Sequence, residues 1–195
     1  MRSRILWVVA VLCIGTLAQN PPRDEKLPNE VAIMVHEVQQ RAEVVKTARD
    51  DVARAEAWYQ LQLASEDLAR ALEKAYPRSR GNEERDLARA IATAERVQES
   101  GVSVFFCDAM QRWAAGVEGY DRYLELLPKG PRVEESTWRG TLDHRDVSCS
   151  GYEGFDEENA ELAGLYRNFL ARFPDGVHAA DARKKLAELE ELVRN

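Results

Sequence analysis

YDRYLELLP at residues 120–128 and YRNFLARFP at residues 166–174 follow one pattern, which is the strongest indication of how this chain folds. Each has aromatic residues at its first and fourth positions, leucine at the fifth, a large apolar residue at the eighth and proline at the ninth. Offsets of three, four and seven residues lie on one face of an α-helix. Both stretches therefore predict the end of an amphipathic helix, because proline has no N–H to donate and its ring collides with the preceding turn.

The two copies are 46 residues apart, and a turn containing Gly130 or Gly176 follows each proline before a new helical pattern begins. A repeated helix end of this kind is typical of proteins built from stacked helix pairs. We therefore expect an all-α fold, in which the repeated residues form the core of the stack: Tyr120, Tyr123, Leu124, Pro128, Tyr166, Phe169, Leu170 and Pro174.

Residues 1–18 have the layout of a secretory signal peptide, with Arg2 and Arg4 before an uncharged apolar run that ends at Ala18. As a helix, this run would be roughly 21 Å long, shorter than the ~30 Å hydrocarbon core of a bilayer. We expect cleavage near Ala18 and export to the periplasm or cell envelope. The alternative is an uncleaved N-terminal anchor, and the chain would then contact the membrane through this segment only.

The charge of the chain argues against several classes of partner. Loss of the two arginines in residues 1–18 changes the formal net charge from −7 to −9. Nucleic acids and anionic membrane surfaces attract basic proteins, so we expect neither as a partner. The sequence also has no phosphate-binding glycine-rich loop, and we expect no cofactor and no small-molecule substrate.

Cys107 and Cys149 are the two cysteines that remain after cleavage. Cysteines of exported proteins are commonly oxidised, so we predict a disulfide between them. The alternative is that Cys107, next to Phe105 and Phe106, is simply buried as a small apolar residue.

Four segments follow one another along the chain: the signal peptide, a flexible proline-rich tether at 19–28, a long N-terminal helical segment at 29–76 and a helical repeat body at 77–195. Residues 29–76 contain no glycine or proline, and valines recur every seven residues from Val31 to Val52. This helix either packs on the repeats or forms a homodimeric coiled coil. We expect it to break near Ser65, where a second helix starts.

The repeat body has a strongly apolar centre and one irregular loop. Residues 102–127 are the most apolar stretch after the signal peptide and predict a buried helical centre, in which Gly116 and Gly119 allow close approach of another helix. The loop at 142–155 has no helical period. Val177 to Arg194 predict a terminal helix with one apolar and one charged face, which would cap the stack.

Only one cluster has residue types suited to chemistry, Asp143 to Asp146 with Cys149 nearby. It holds a single histidine, His144, and no ligand pair of recognised spacing, so we interpret it as a solvated loop and expect no enzymatic activity and no metal. His36 and His178 are expected to be structural or exposed. Aromatic residues dominate binding hot spots, so the candidate partner-binding residues are Trp138, Tyr152 and Phe155, although the latter two could equally pack back onto the helices.

Residues 166–176, together with the small residues Ala179, Ala180 and Ala182 and with Leu186, resemble a junction between tetratricopeptide repeats. The resemblance is to bacterial envelope proteins such as the outer-membrane-protein assembly lipoproteins and the Tol–Pal coordinator protein, and it covers roughly residues 105–193. It implies an α-solenoid of antiparallel helix hairpins that binds other proteins and has no catalytic residue.

The chain departs from the tetratricopeptide pattern in two places. A repeat of about 34 residues is usual, and the loop at 142–155 would absorb the surplus of about 12. Residues 132–139 lack the expected small residues, and Trp138 stands where one belongs. We expect an exported adaptor that binds a peptide or protein of the cell envelope; the alternative is a structural protein that self-associates through the helix at 29–62.

The N-terminus of the exported protein tests the signal-peptide prediction. Mass spectrometry of the exported protein should find Gln19 as its first residue, because the small residues before Gln19 fit the cleavage site of signal peptidase. An intact Met1 would instead support the membrane anchor.

Overall fold

The computed structural model describes residues 27–76, 83–108, 110–143 and 156–192. Outside these ranges lie the predicted signal peptide, most of the predicted tether, Cys149, Tyr152 and Phe155. The described part is mostly helical, in agreement with the predicted all-α class. Its helices are α1 (Asn29–Thr47), α2 (Asp51–Ala75), α3 (Glu83–Gln98), α4 (Glu118–Leu126), α5 (Val133–Thr137), α6 (Asp156–Arg172) and α7 (Ala179–Leu192). A π-helical segment (Trp138–Asp143) continues α5, and strands β1 (Val104–Cys107) and β2 (Arg112–Ala115) lie between α3 and α4.

Residues 29–76 form two antiparallel helices, and the break between them lies at residues 48–50, earlier than we predicted. The chain leaves α1 at Ala48, whose backbone is extended, and the side chain of Asp50 caps α2 by accepting the N–H of Ala53 at 2.8 Å. Lys74 near the end of α2 reaches Glu30 at the start of α1, 2.8 Å away. The predicted break at Ser65 is wrong, because Ser65 is buried inside α2.

Most of the valines that are spaced seven residues apart pack against another helix of the same chain. Val31, Val38 and Val45 are buried in the cluster that joins α1 to α2, whereas Val52 is 61% exposed at the start of α2. The apolar line therefore ends where the chain turns, and these three valines already have their packing partner in α2.

Residues 102–127 are not one helix. They begin with an antiparallel hairpin, in which Phe105 pairs with Ala114 and Phe106 with Trp113. The turn is tight enough to need a positive φ of 55° at Gln111. The burial predicted for this stretch is correct at Trp113, which is 7% exposed, but Trp113 is buried from a strand that packs on α2.

Helix α4 crosses α2 at close range, as Gly119 predicts. A Cβ atom at Gly119 would lie 2.6 Å from the main-chain oxygen of Trp58, so only glycine fits there. The fully buried side chain of Gln62 holds this crossing from α2: its amide accepts the N–H of Gly119 at 3.0 Å and donates to the carbonyl of Gly116 at 2.7 Å. Gly116 itself faces Ser103 and Glu118 instead of a helix, so its predicted role is wrong.

Three apolar clusters follow one another along the molecule. The first joins α1, α2, α3 and the hairpin; the second joins the π-helical segment, α6 and α7; the third lies between them and is made by α2, α4 and the start of α5. Among the described residues, no helix has the length and apolarity needed to cross a bilayer.

Two glycine-to-alanine substitutions test the close crossing. Gly119→Ala should lower the free energy of unfolding by roughly 1–3 kcal/mol, because the new methyl group overlaps the α2 backbone. Gly164→Ala in α6 is the matched control: it has no atom within 4 Å of the new Cβ and should raise stability by up to about 1 kcal/mol. Urea unfolding followed by circular dichroism measures both, and equal effects would contradict the crossing.

Candidate functional site

The ends of α4 and α6 and the turns after them make the same backbone hydrogen bonds at an offset of 46 residues. The repeat seen in the sequence is therefore also a repeat of backbone geometry. The matched bonds are Leu127 N to Tyr123 O (2.8 Å) and Phe173 N to Phe169 O (2.8 Å), Gly130 N to Leu127 O (3.0 Å) and Gly176 N to Phe173 O (3.3 Å), and Ser136 N to Arg132 O (2.8 Å) and Ala182 N to His178 O (2.9 Å).

Each repeated helix packs two aromatic rings against one ring of an earlier helix. We call the first set, around Tyr59 of α2, the first junction, and the second set, around Trp138 of the π-helical segment, the second junction. The centroid distances are 5.8 Å for Tyr59–Tyr120, 6.0 Å for Tyr59–Tyr123, 6.1 Å for Trp138–Tyr166 and 5.5 Å for Trp138–Phe169. All four contacts are tilted or edge-on, which is the arrangement that aromatic quadrupoles favour.

A basic residue completes each junction at the same position, just before the next helix. It lies on the central ring and pairs with a carboxylate three residues before that ring. The guanidinium of Arg132 is 4.4 Å from the Tyr59 centroid and 2.7 Å from Glu56, whereas the imidazole of His178 stacks on Trp138 at 4.7 Å and 4° and is 2.6 Å from Glu135.

The main chain of the two basic residues is satisfied in different ways. The N–H of Arg132 donates to the hydroxyl of Tyr123 at 3.0 Å. Phe169 has no hydroxyl at the matching place, and the N–H of His178 donates instead to Glu134 at 3.0 Å. The geometry is thus retained although the acceptor has changed.

A polar network connects the two junctions. Tyr120 donates its hydroxyl to Glu66 at 2.5 Å, and Arg139 donates to Glu66 at 3.0 Å and to Glu135 at 2.5 Å. Burial and the hydrogen bond to Glu66 raise the pKa of Tyr120 far above its ordinary value. Burial alone would lower the pKa of Arg139, but its bonds and charge pairing with Tyr120, Glu66 and Glu135 raise it.

A half-open cavity of about 150 Å³ lies beside this network, between α2, the hairpin, α4 and the π-helical segment. Within the described residues, neither the guanidinium of Arg112 nor the carboxylate of Asp143 has a hydrogen-bond or ion-pair partner, so the cavity offers one charge of each sign. Its lining residues are Glu66, Phe105, Arg112, Ala114, Ala115, Gly116, Val117, Tyr120, Arg139 and Asp143.

The size of the cavity limits what it can hold. Cavities of roughly this volume accept a group about as large as a benzene ring, whereas sites for whole small-molecule ligands usually measure about 300–1,000 Å³. A single side chain of a larger partner therefore fits best. Among the described residues, no group of three metal-ligating side chains is present.

Of the eight repeated residues predicted to form the core, the four aromatic ones are buried inside the two junctions, whereas the two prolines are not. Tyr120, Tyr123, Tyr166 and Phe169 are at most 3% exposed. Leu124 and Leu170 are half-buried, and Pro128 and Pro174 are exposed after the helix ends.

Of the three candidate partner-binding residues, the structure describes Trp138 only. Trp138 is half-buried beneath Tyr166, Phe169 and His178, so only part of its surface is open to a partner. Cys107 is 1% exposed. The predicted partner Cys149 is outside the described residues, so their pairing stays a prediction, as do the roles of Tyr152 and Phe155.

Several residues of the site were missed by sequence reasoning. Glu56-x-x-Tyr59 and Glu135-x-x-Trp138 share a spacing, but they are 79 residues apart and the pattern is too short to stand out. Residues 132–139 lack a small residue at two of the three positions that match Ala179, Ala180 and Ala182, but not at the third. Ser136 matches Ala182 of the second copy, and both are fully buried.

No protein-family model, no curated protein and no solved structure matches this chain. Its function is therefore inferred from the junctions and the cavity.

The junction carboxylates predict how stability depends on pH. A hydrogen bond from Arg132 lowers the pKa of Glu56; at Glu135 burial opposes this, but the bonds from His178 and Arg139 also lower its pKa. A group with a depressed folded-state pKa stabilises the protein above its unfolded-state pKa, and this contribution is lost as the pH falls through the folded-state value. The free energy of unfolding should therefore fall on acidification from about pH 5 to about pH 3.

The double variant Glu56→Gln/Glu135→Gln should be less stable at neutral pH and should show a flatter decline in acid. Glu188→Gln on the exposed side of α7 is the control and should keep the wild-type slope. Urea titrations at each pH measure the free energy of unfolding, and its slope against pH is compared between the variants. An unchanged slope in the double variant would show that these carboxylates do not cause the acid dependence of stability.

Proposed function

We propose that this protein is an exported adaptor of the cell envelope, which presents stacked, tetratricopeptide-like helix hairpins to a protein or peptide partner. The observation that supports this most is the duplicated junction. Backbone bonds, ring contacts and the position of a basic residue all recur, and such recurrence is what a repeat array requires. The signal-like N-terminus supports export.

In this proposal the helix pairs are α2 with α4, and α5 with its π-helical continuation and α6, while α7 packs on α6 and closes the array. The first pair contains α3 and the β1–β2 hairpin as an insertion between its two helices. The second contains the predicted loop, of which Leu142 and Asp143 belong to the π-helical segment instead. These insertions account for the departure from a regular repeat length.

The inserted hairpin supports a binding role because it adds a wall to the cavity. Phe105 and Ala114 line it from the hairpin, and Tyr120 and Arg139 line it from the repeats. A partner side chain entering here would bury apolar area against Phe105, and polar groups next to it would meet Arg112 and Asp143. Recognition of this kind makes and breaks no covalent bond.

A crosslinking experiment tests the adaptor proposal. A photoreactive phenylalanine analogue at position 105 should give a discrete protein adduct in the native envelope, because position 105 lines the cavity. Arg112→Ala should weaken this adduct. The same analogue at Val177, which is 87% exposed on a turn, is the control and should not give it. Absence of an adduct at 105, or the same adducts from 177, would contradict the proposal.

Self-association is the second candidate function, and one observation favours it. Ile33 and Val44 of α1 are 61% and 51% exposed, and their spacing of eleven residues places them on one face. Val38 and Val45 are unsuitable for testing it, since both are buried inside the chain.

Sedimentation equilibrium separates the two functions. Self-association through α1 predicts a concentration-dependent dimer that Ile33→Asp/Val44→Asp converts to monomer, because the charged groups would be buried in the interface. A wild-type monomer at all concentrations would leave the adaptor as the remaining function.

A further inference from the structure

The lining of the cavity between α2, the hairpin, α4 and the π-helical segment restricts the chemistry of its occupant. We infer that the cavity accepts an aromatic side chain of the partner, and that a lysine or arginine next to this aromatic residue pairs with the exposed Asp143. This inference rests on the proposed adaptor function and specifies which partner segment the same site recognises.

The polar groups that the lining shares with the network between the junctions are already bonded. Glu66 accepts hydrogen bonds from Tyr120 and Arg139, and Arg139 also donates to Glu135. A charged occupant placed against these groups would lose its water without gaining a partner. This side of the cavity therefore favours an uncharged group.

The size of the cavity and the rings in its lining favour an aromatic occupant over an aliphatic one. A volume of about 150 Å³ holds a group about as large as a benzene ring. Phe105 and Tyr120 both line this space, and a third ring packed against them gains attraction beyond the area that it buries. Within the described residues the guanidinium of Arg112 has no partner, so it is available to stack on the face of the incoming ring.

Asp143 and the charge of the whole chain determine the sign of the neighbouring residue. The carboxylate of Asp143 is exposed and has no hydrogen-bond or ion-pair partner in the part of the chain that the structure describes, so a basic neighbour of the aromatic residue can pair with it. An acidic neighbour would have to pair with Arg112 and would compete with the stacked ring. The formal net charge of −7 also attracts a basic segment over longer distances.

Binding of short peptides to the full chain tests the occupant. The probes are two pentapeptides, acetylated and amidated at their ends, with phenylalanine at the centre and glycine at both ends. One peptide carries lysine on each side of the phenylalanine, and the other carries glutamate. Titrations are followed through the amide resonances of Ala114 and Ala115, which line the cavity.

The lysine peptide should shift both resonances and should bind about fivefold more tightly than the glutamate peptide, the size expected for one exposed ion pair. Replacement of its phenylalanine by leucine should weaken binding by about threefold, because the contacts between rings are lost.

Two charge reversals separate the effect of Asp143 from that of the net charge. Asp143→Lys should reverse the preference between the two peptides, because the added ammonium repels lysine and attracts glutamate. Asp181→Lys on the exposed side of α7 changes the net charge by the same amount and should keep the wild-type preference. Circular dichroism checks that both variants fold like the wild type.

The outcomes distinguish this inference from the adaptor function. Unshifted resonances with the lysine peptide, a wild-type preference for the glutamate peptide, or an unchanged preference in Asp143→Lys would overturn the inference. The crosslinked adduct at position 105 gives an independent measurement, since mass spectrometry of the attached segment should find an aromatic residue next to lysine or arginine. An adduct without such a pair would overturn the inference and leave the adaptor function in place, whereas absence of any adduct would contradict the adaptor function itself.

Discussion

The structure depends on one aromatic ring held between two rings of a following helix and one basic side chain. Tyr59 and Trp138 are these central rings. Each such aromatic pair contributes about 0.5–1.5 kcal/mol beyond the area that it buries, and the basic residue can reach its ring only if the intervening turn is short. The Pro-x-Gly turn meets that requirement. Helix end, turn and ring packing are therefore one constraint, which the chain satisfies twice.

The polar network between the junctions is stabilising because its members satisfy one another. Glu66, Tyr120, Arg139 and Glu135 each have at least one partner within 3.0 Å. Removal of one member would leave a half-buried charge or hydroxyl without its bond, which costs more than the bond itself contributes. The network thus ties the second helix pair to the first by specific geometry, in addition to apolar burial.

The hairpin between α3 and α4 gives this helical molecule a feature that the junctions alone do not provide. It covers the apolar cluster of α1 and α2 with Trp113 on one side, and on the other side it lines the cavity with Phe105 and Arg112. Successive side chains of a strand point to opposite faces, so two strands of four residues each can make both contacts. A helix at this place would present its side chains at a different spacing, and the cavity wall would be lost.

The sequence by itself determined the helical class, the two helix ends and which aromatic residues are buried there, because these follow from local periodicity and from the backbone chemistry of proline. Only the tertiary structure decided that the valine line packs on α2, that residues 104–107 and 112–115 form strands, and that Glu56, Tyr59 and Arg132 meet. A continuous apolar run has no period that would distinguish a helix from a strand. A seven-residue spacing of valines is compatible with packing on a helix of the same chain or of another chain. Contacts between residues 76 positions apart depend on how whole helices pack, and no local pattern encodes that distance.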